Sequence, residues 1–231
     1  MMPKRFVFLI FFLAAALSFA SRAVWAGYYM DSSQVDLVTI LPPPPSPDST
    51  EGRADLQAVM AAQRNRTAAQ VRDARADAEE SVFRFAAAMG PGFNPKNLPF
   101  TTLFFHRVSF DSEEAVAIAK RHFDRPRPFV IDHNITPVVG RSGSPSYPSG
   151  HATFAYVDAI LLAYMEPHKV VAIFARAKQY SYRREIAGVH YPTDLQAGQI
   201  SASVIANVLL HNSRFLADLN RAKAEVRHAA E

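Results

Sequence analysis

Three short stretches hold the side chains able to do chemistry: "KRHFDRPRP" (120–128), "YPSGH" (147–151) and "RREIAGVHYPTD" (183–194). Each falls at a helix end, where binding groups concentrate. Lys120, Arg127 and Arg184 supply three cations. Ser149 adds a hydroxyl, and Gly150 and His151 add backbone N–H groups at a helix start, where the macrodipole favours an anion. Arginine offers a flat fork that grips two oxygens at once, lysine a mobile point charge, and Gly150 keeps a side chain out of the way. The set fits a dianionic tetrahedral group, a phosphate cradle that needs no metal. Two histidines and an aspartate could also bind zinc, but the nearby Lys and Arg would repel a cation.

The two histidines take different jobs from their neighbours. Asp194 follows His190 by four residues across "HYPTD". That carboxylate can accept the proton of one ring nitrogen and leave the other as a lone pair for phosphorus, which makes His190 the nucleophile and Asp194 its orienting group. His151 has no carboxylate nearby in sequence until Asp158, two turns along the same helix and out of reach. It is therefore placed as the acid that protonates the leaving oxygen, and later as the base that activates water. "RPRP" also offers Arg125, but only Arg127 keeps the six-residue gap from Lys120.

These spacings resemble the signature of the acid phosphatase and vanadium haloperoxidase superfamily: Lys120 through Arg127-Pro128, then Pro148-Ser149-Gly150-His151, then Arg184, His190 and Asp194. The export-like start, "LPPPPSPDS" (41–49) and the overall length further resemble the bacterial class A nonspecific acid phosphatases. That resemblance implies an all-helical fold, a periplasmic location, cofactor-free and metal-independent hydrolysis of many small phosphomonoesters through a phosphohistidine, inhibition by vanadate, and often a homo-oligomer. One departure stands out: Arg183 occupies the place where the family usually has serine. Three rivals share parts of the pattern. A haloperoxidase would be a much longer chain, a lipid phosphatase of the type 2 phosphatidic acid phosphatase group would carry transmembrane helices, and a noncatalytic phosphate binder would have no use for two histidines.

The elements that must position these residues read as an all-α, compact helical bundle domain over 51–231. Helical spacing predicts two helices between 51 and 89, stopped by "GPG" at 90–92, and another from Pro99. A separate helix is expected after Asp111, where "DSEE" offers a cap, with Lys120 in its last turn. After a loop over 129–148, helices are expected at 150–165, 167–187 and 193–212. The pocket rim is expected from that loop and the N-terminal helices, with Tyr147, Phe129 and Tyr191 as aromatic contacts or core. Residues 27–50 form a lead whose "PPPPSP" (42–47) is a stiff spacer over the surface.

Residues 1–26 differ in kind. Lys4 and Arg5, the apolar run 6–20 and "AVWA" (23–26) read as a secretory signal peptide cut after Ala26. The run of about 15 apolar residues falls short of the roughly 20 needed to span a bilayer, so no stable membrane association is expected afterwards. Cleavage removes Lys4, Arg5 and Arg22 and no acid, so 25 basic residues become 22 beside 21 acidic ones and the net charge drops from +4 to +1. A balance so near neutral argues against nucleic acid as a partner. The absence of cysteine excludes disulfides, thiol nucleophiles and Cys-based metal sites, so stability rests on the core.

Overall fold

The computed structural model describes residues 27–229; the expected signal peptide lies outside the described residues. Among the described residues the chain is helical and no strand forms. In chain order the helices are α1 (Leu37–Ile40), α2 (Thr50–Asn65), α3 (Ala68–Ala76), α4 (Ala86–Met89), α5 (Pro99–Phe123), α6 (Pro128–Ile131), α7 (Gly150–Met165), α8 (Val170–Ile186), α9 (Pro192–Leu210) and α10 (Ser213–His228).

The sequence of α7, "GHATFAYVDAILLAYM", is apolar on nearly every face, and such a helix belongs inside. It does sit inside: Ala155, Leu161, Leu162 and Met165 are wholly buried, and α7 packs against α8, α9, α5 and α10. Gly198 of α9 makes the closest approach possible. A Cβ there would lie 2.7 Å from the Ala152 Cβ and 2.8 Å from the Ser149 carbonyl oxygen, so any larger residue would push α9 off the N-terminus of α7.

The expected break at Asp111 does not occur, and α5 runs unbroken for 25 residues. Asp111 looks like a cap because "DSEE" has cap chemistry, but its carboxylate serves distant donors. It accepts the backbone N–H groups of Tyr28 and Tyr29 at 2.7 Å and of Met30 at 3.1 Å. The lead is thereby fastened to the middle of α5, and Tyr29, Met30, Val35, Leu37 and Leu41 enter the core. "PPPPSP" lies over the surface as expected. At the other end, α10 completes the core with Phe215, Leu219, Ala222 and Val226, a helix outside the predicted set. Each such buried aromatic or aliphatic side chain contributes about 1.5–3 kcal/mol.

Candidate active site

Four chain segments converge on one cavity of about 570 Å³. The C-terminal end of α5 brings Lys120, and Asp124, in the left-handed region at φ 43°, turns the chain so that Arg125 and Arg127 follow. The N-terminus of α7 brings Gly150 and His151, and the last turn of α8 brings Arg184. Gly188, at φ +76°, then makes the turn that delivers Val189 and His190 to the start of α9. Lys120, Arg127, Gly150, His151, Arg184 and His190 all line the cavity.

Two predicted residues do not line it. Asp194 is fully buried behind His190. Ser149 is also fully buried, and its Oγ accepts the Ala152 N–H at 3.3 Å as the cap of α7. The cap uses a lone pair of the oxygen, and the O–H hydrogen stays available as a donor. Gly150 behaves differently, because a Cβ there would meet no atom within 4 Å. Protein packing does not require glycine at that position, and the space it leaves opens on the cavity.

The guanidinium of Arg127 is braced by its neighbours. Its Nε donates to the Ser144 carbonyl at 2.8 Å, and Nη1 donates to the Val189 carbonyl at 3.0 Å and lies 3.3 Å from the His190 Nε2. Lys120 Nζ donates to the Pro145 carbonyl at 2.6 Å. Arg184 is buried with its Nε unpaired and Nη1 only 3.4 Å from the Asp77 carbonyl, which leaves donors to spend on a ligand. Burial and then the Arg127 charge push Lys120 down to about 7, and burial takes Arg127 down to about 10.

Behind His190 lies a closed chain of charge. The ring Nδ1 is 3.3 Å from Asp194 Oδ2, which also accepts the Tyr191 N–H at 2.9 Å and the Ser146 hydroxyl. The other oxygen, Oδ1, accepts from Arg125 at 2.6 Å, and Arg125 in turn donates to Asp55 at 2.7 Å. Burial alone would raise the Asp194 pKa, but the His190 hydrogen bond and charge, the Arg125 charge and the Ser146 hydroxyl bring it below the ordinary carboxylate value. Burial takes His190 well below the usual histidine value against the pull of Asp194. With Nδ1–H donated to Asp194, the lone pair belongs to Nε2, which faces the cavity beside Arg127. Arg125, set aside in the sequence as a duplicate of Arg127, is what anchors that aspartate.

His151 has a carboxylate neighbour after all. Its Nδ1 lies 3.0 Å from Glu80 Oε1, and its Nε2 lies 3.1 Å from the Ala78 carbonyl. Both partners come from the segment between α3 and the next turn of helix, seventy residues away in sequence. That segment is pinned by Asp77, whose carboxylate takes Arg176 at 2.7 Å and Arg183 at 2.6 Å. Arg183 therefore ties α8 to α3 and holds the strip that carries Glu80. Burial and the Glu113 charge raise Glu80 to about 7, while burial and then the Arg184 charge depress His151 to about 3.

Of the two places expected for the three aromatic residues, the core is the one they take. Tyr147, Phe129 and Tyr191 are core, with Tyr191 stacked under the Arg125 guanidinium at 4.0 Å. The walls come instead from the loop residues Val139, Gly140, Ser142 and Ser144, as expected, and from a face of α5 that includes Ser109, Glu113 and Val116.

A family model described as the PAP2 superfamily matches residues 102–217, a span that holds every residue of the cradle and both histidines. The chain belongs to the PAP2 superfamily. Its PAP2 relatives include a non-specific acid phosphatase of Salmonella typhi, 27% identical over 85% of this chain and 83% of that one. A non-specific acid phosphatase of Providencia stuartii is 28% identical over 86% and 84%. The fold is shared with the crystal structure of a transmembrane PAP2-type phosphatidylglycerolphosphate phosphatase from Bacillus subtilis (TM-score 0.51, 20% identity, 74% of this chain and 88% of that one). It is shared also with a bacterial vanadium-dependent iodoperoxidase (TM-score 0.58, 16% identity, 77% and 53%). Among the described residues of this PAP2 chain, no helix is long and apolar enough to cross a membrane.

Proposed function

We propose that the chain is an exported, metal-independent acid phosphatase that hydrolyses small phosphomonoesters through a phosphohistidine. The phosphatase activity follows from the PAP2 family and its acid phosphatase relatives. The observation that carries the mechanism is one cavity lined by Lys120, Arg127, Arg184 and both histidines, with His190 Nε2 3.3 Å from the Arg127 guanidinium. Three cations can hold the non-bridging oxygens and offset the charge that develops on them, which is the larger part of phosphoryl-transfer catalysis.

In the first step His190 Nε2 attacks phosphorus, and the bond from phosphorus to the alcohol oxygen breaks. His151 gives that oxygen a proton, and the alcohol leaves. Water then attacks phosphorus, the N–P bond breaks, and His151 takes the water's proton as orthophosphate departs. A substrate dianion among the three cations offsets the charges that depress His151, and protonated Glu80, 3.0 Å away, is the nearest proton source. The substrate oxygen replaces the Ala78 carbonyl as partner of the ring.

Export rests on the pattern of residues 1–26. N-terminal sequencing of protein from a periplasmic fraction is expected to begin at Gly27. The activity is tested with p-nitrophenyl phosphate in EDTA, wild type beside His190→Ala. Loss of about 10³-fold or more is expected from the variant. A wild type without turnover would end the phosphatase reading, and a variant as fast as wild type would remove His190 as nucleophile.

A further inference from the structure

The cavity that holds the three cations and Glu80 also holds two carboxyl groups, Asp158 and Glu113, that phosphoryl transfer does not require. Asp158 of α7 is 1% exposed, lines the cavity, and has no hydrogen-bond partner on either oxygen. A buried carboxyl without a partner is costly and calls for one. Glu80 and Glu113 of α5 line the same cavity. Glu80 feels the charge of Glu113 and Asp158 feels that of Glu80. Val108, Val116 and Phe154 fill the wall around them.

The cavity is therefore bipolar. A phosphate dianion belongs against Lys120, Arg127 and Arg184, and the alcohol it carries must extend away from them. His151 marks the junction, because it lies at the cradle and contacts Glu80 directly. A neutral alcohol would leave Asp158 without a partner. An anionic one would meet three acids.

Resting on the phosphatase reading above, we infer that Asp158, Glu80 and Glu113 form a subsite for an ammonium group, so that the preferred substrates are phosphomonoesters of short amino alcohols. The apolar wall suits the methylene arm between the two charges, and the ammonium hydrogens supply the donors that Asp158 lacks.

Three phosphates of nearly equal size test this: 2-aminoethyl phosphate, propyl phosphate and carboxymethyl phosphate, each assayed for kcat/KM at pH 7 by orthophosphate release. The amino compound is expected to exceed propyl phosphate by about tenfold, the scale of one partly screened charge pair, with carboxymethyl phosphate lowest. Glu113 lies on the exposed wall outside the reacting groups, but its charge also acts on Glu80, so the readout is the ratio of the two rates: Glu113→Gln should lose most of the amino preference. Propyl phosphate hydrolysed as fast as the amino compound would overturn the subsite while leaving the phosphatase intact. So would a Glu113→Gln variant that keeps the full preference. Failure to hydrolyse any of the three would sink the phosphatase reading and the subsite with it.

Discussion

The two histidines line one cavity, yet their surroundings are opposites. His190 is backed by a carboxylate whose oxygens are claimed by Arg125, Ser146 and a backbone N–H, and the chain continues through Arg125 to a second buried acid, Asp55. Asp194 is held below the ordinary carboxylate value and stays ionised near neutral pH. His151 is backed by Glu80, a quarter exposed and raised to about 7. On the mechanism proposed above, the partner carboxyl decides the role. A permanently ionised one makes its histidine a directed lone pair, and one that titrates makes its histidine a conduit for protons.

The comparison breaks most visibly at Asp194. Asp194→Asn keeps the shape but no longer fixes the His190 tautomer, and kcat is expected to fall about 10³-fold or more in a protein that still folds. A loss below tenfold would mean that the tautomer is set elsewhere. Arg125→Ala should act on stability instead, since it strands Asp55 and Asp194 in the interior; about 3 kcal/mol is expected, read from a denaturant midpoint.

On the other side of the cavity, Glu80→Gln should lower kcat by about ten- to a hundredfold and remove the fall in rate as pH rises through about 7. The conservative Glu80→Asp should restore part of that limb, which a role in packing alone would not explain. Stability should move in the opposite sense. The folded pKa of Glu80 lies above its unfolded value, so its contribution is fully present below the unfolded pKa and is lost as pH rises through about 7. The Gln variant should therefore melt higher than wild type at pH 8 and not at pH 4. Smallest in its effect on the fold is Gly150→Ala. With open space around the new methyl group, the melting temperature should hold, while KM for p-nitrophenyl phosphate rises by about tenfold as the methyl group crowds the phosphate.

The same contrast explains what could be read from the sequence. The His190 side was legible because His190 and Asp194 sit within one turn of chain, and α7, α8 and α9 announce themselves by cap residues, by Pro167 and Pro192, and by apolar runs. Glu80 was not, because "DAEES" carries no local mark and its partner lies in another helix. Asp111 misled for the related reason that a side-chain acceptor in a helix can serve backbone far away as well as a cap. The helix α10 could have been found, since Phe215, Leu219, Ala222 and Val226 repeat at helical spacing behind Asn212 as a cap.

Burial, and after it the charge of nearby Arg127, brings Lys120 down to about 7. On the phosphatase reading, an anion lodged between them restores that proton, and the site should take up acid together with phosphate. In a calorimeter, the heat of orthophosphate binding near neutrality should change with the ionisation enthalpy of the buffer. In use, the product would be held most firmly in acid and let go more readily as the surroundings become alkaline.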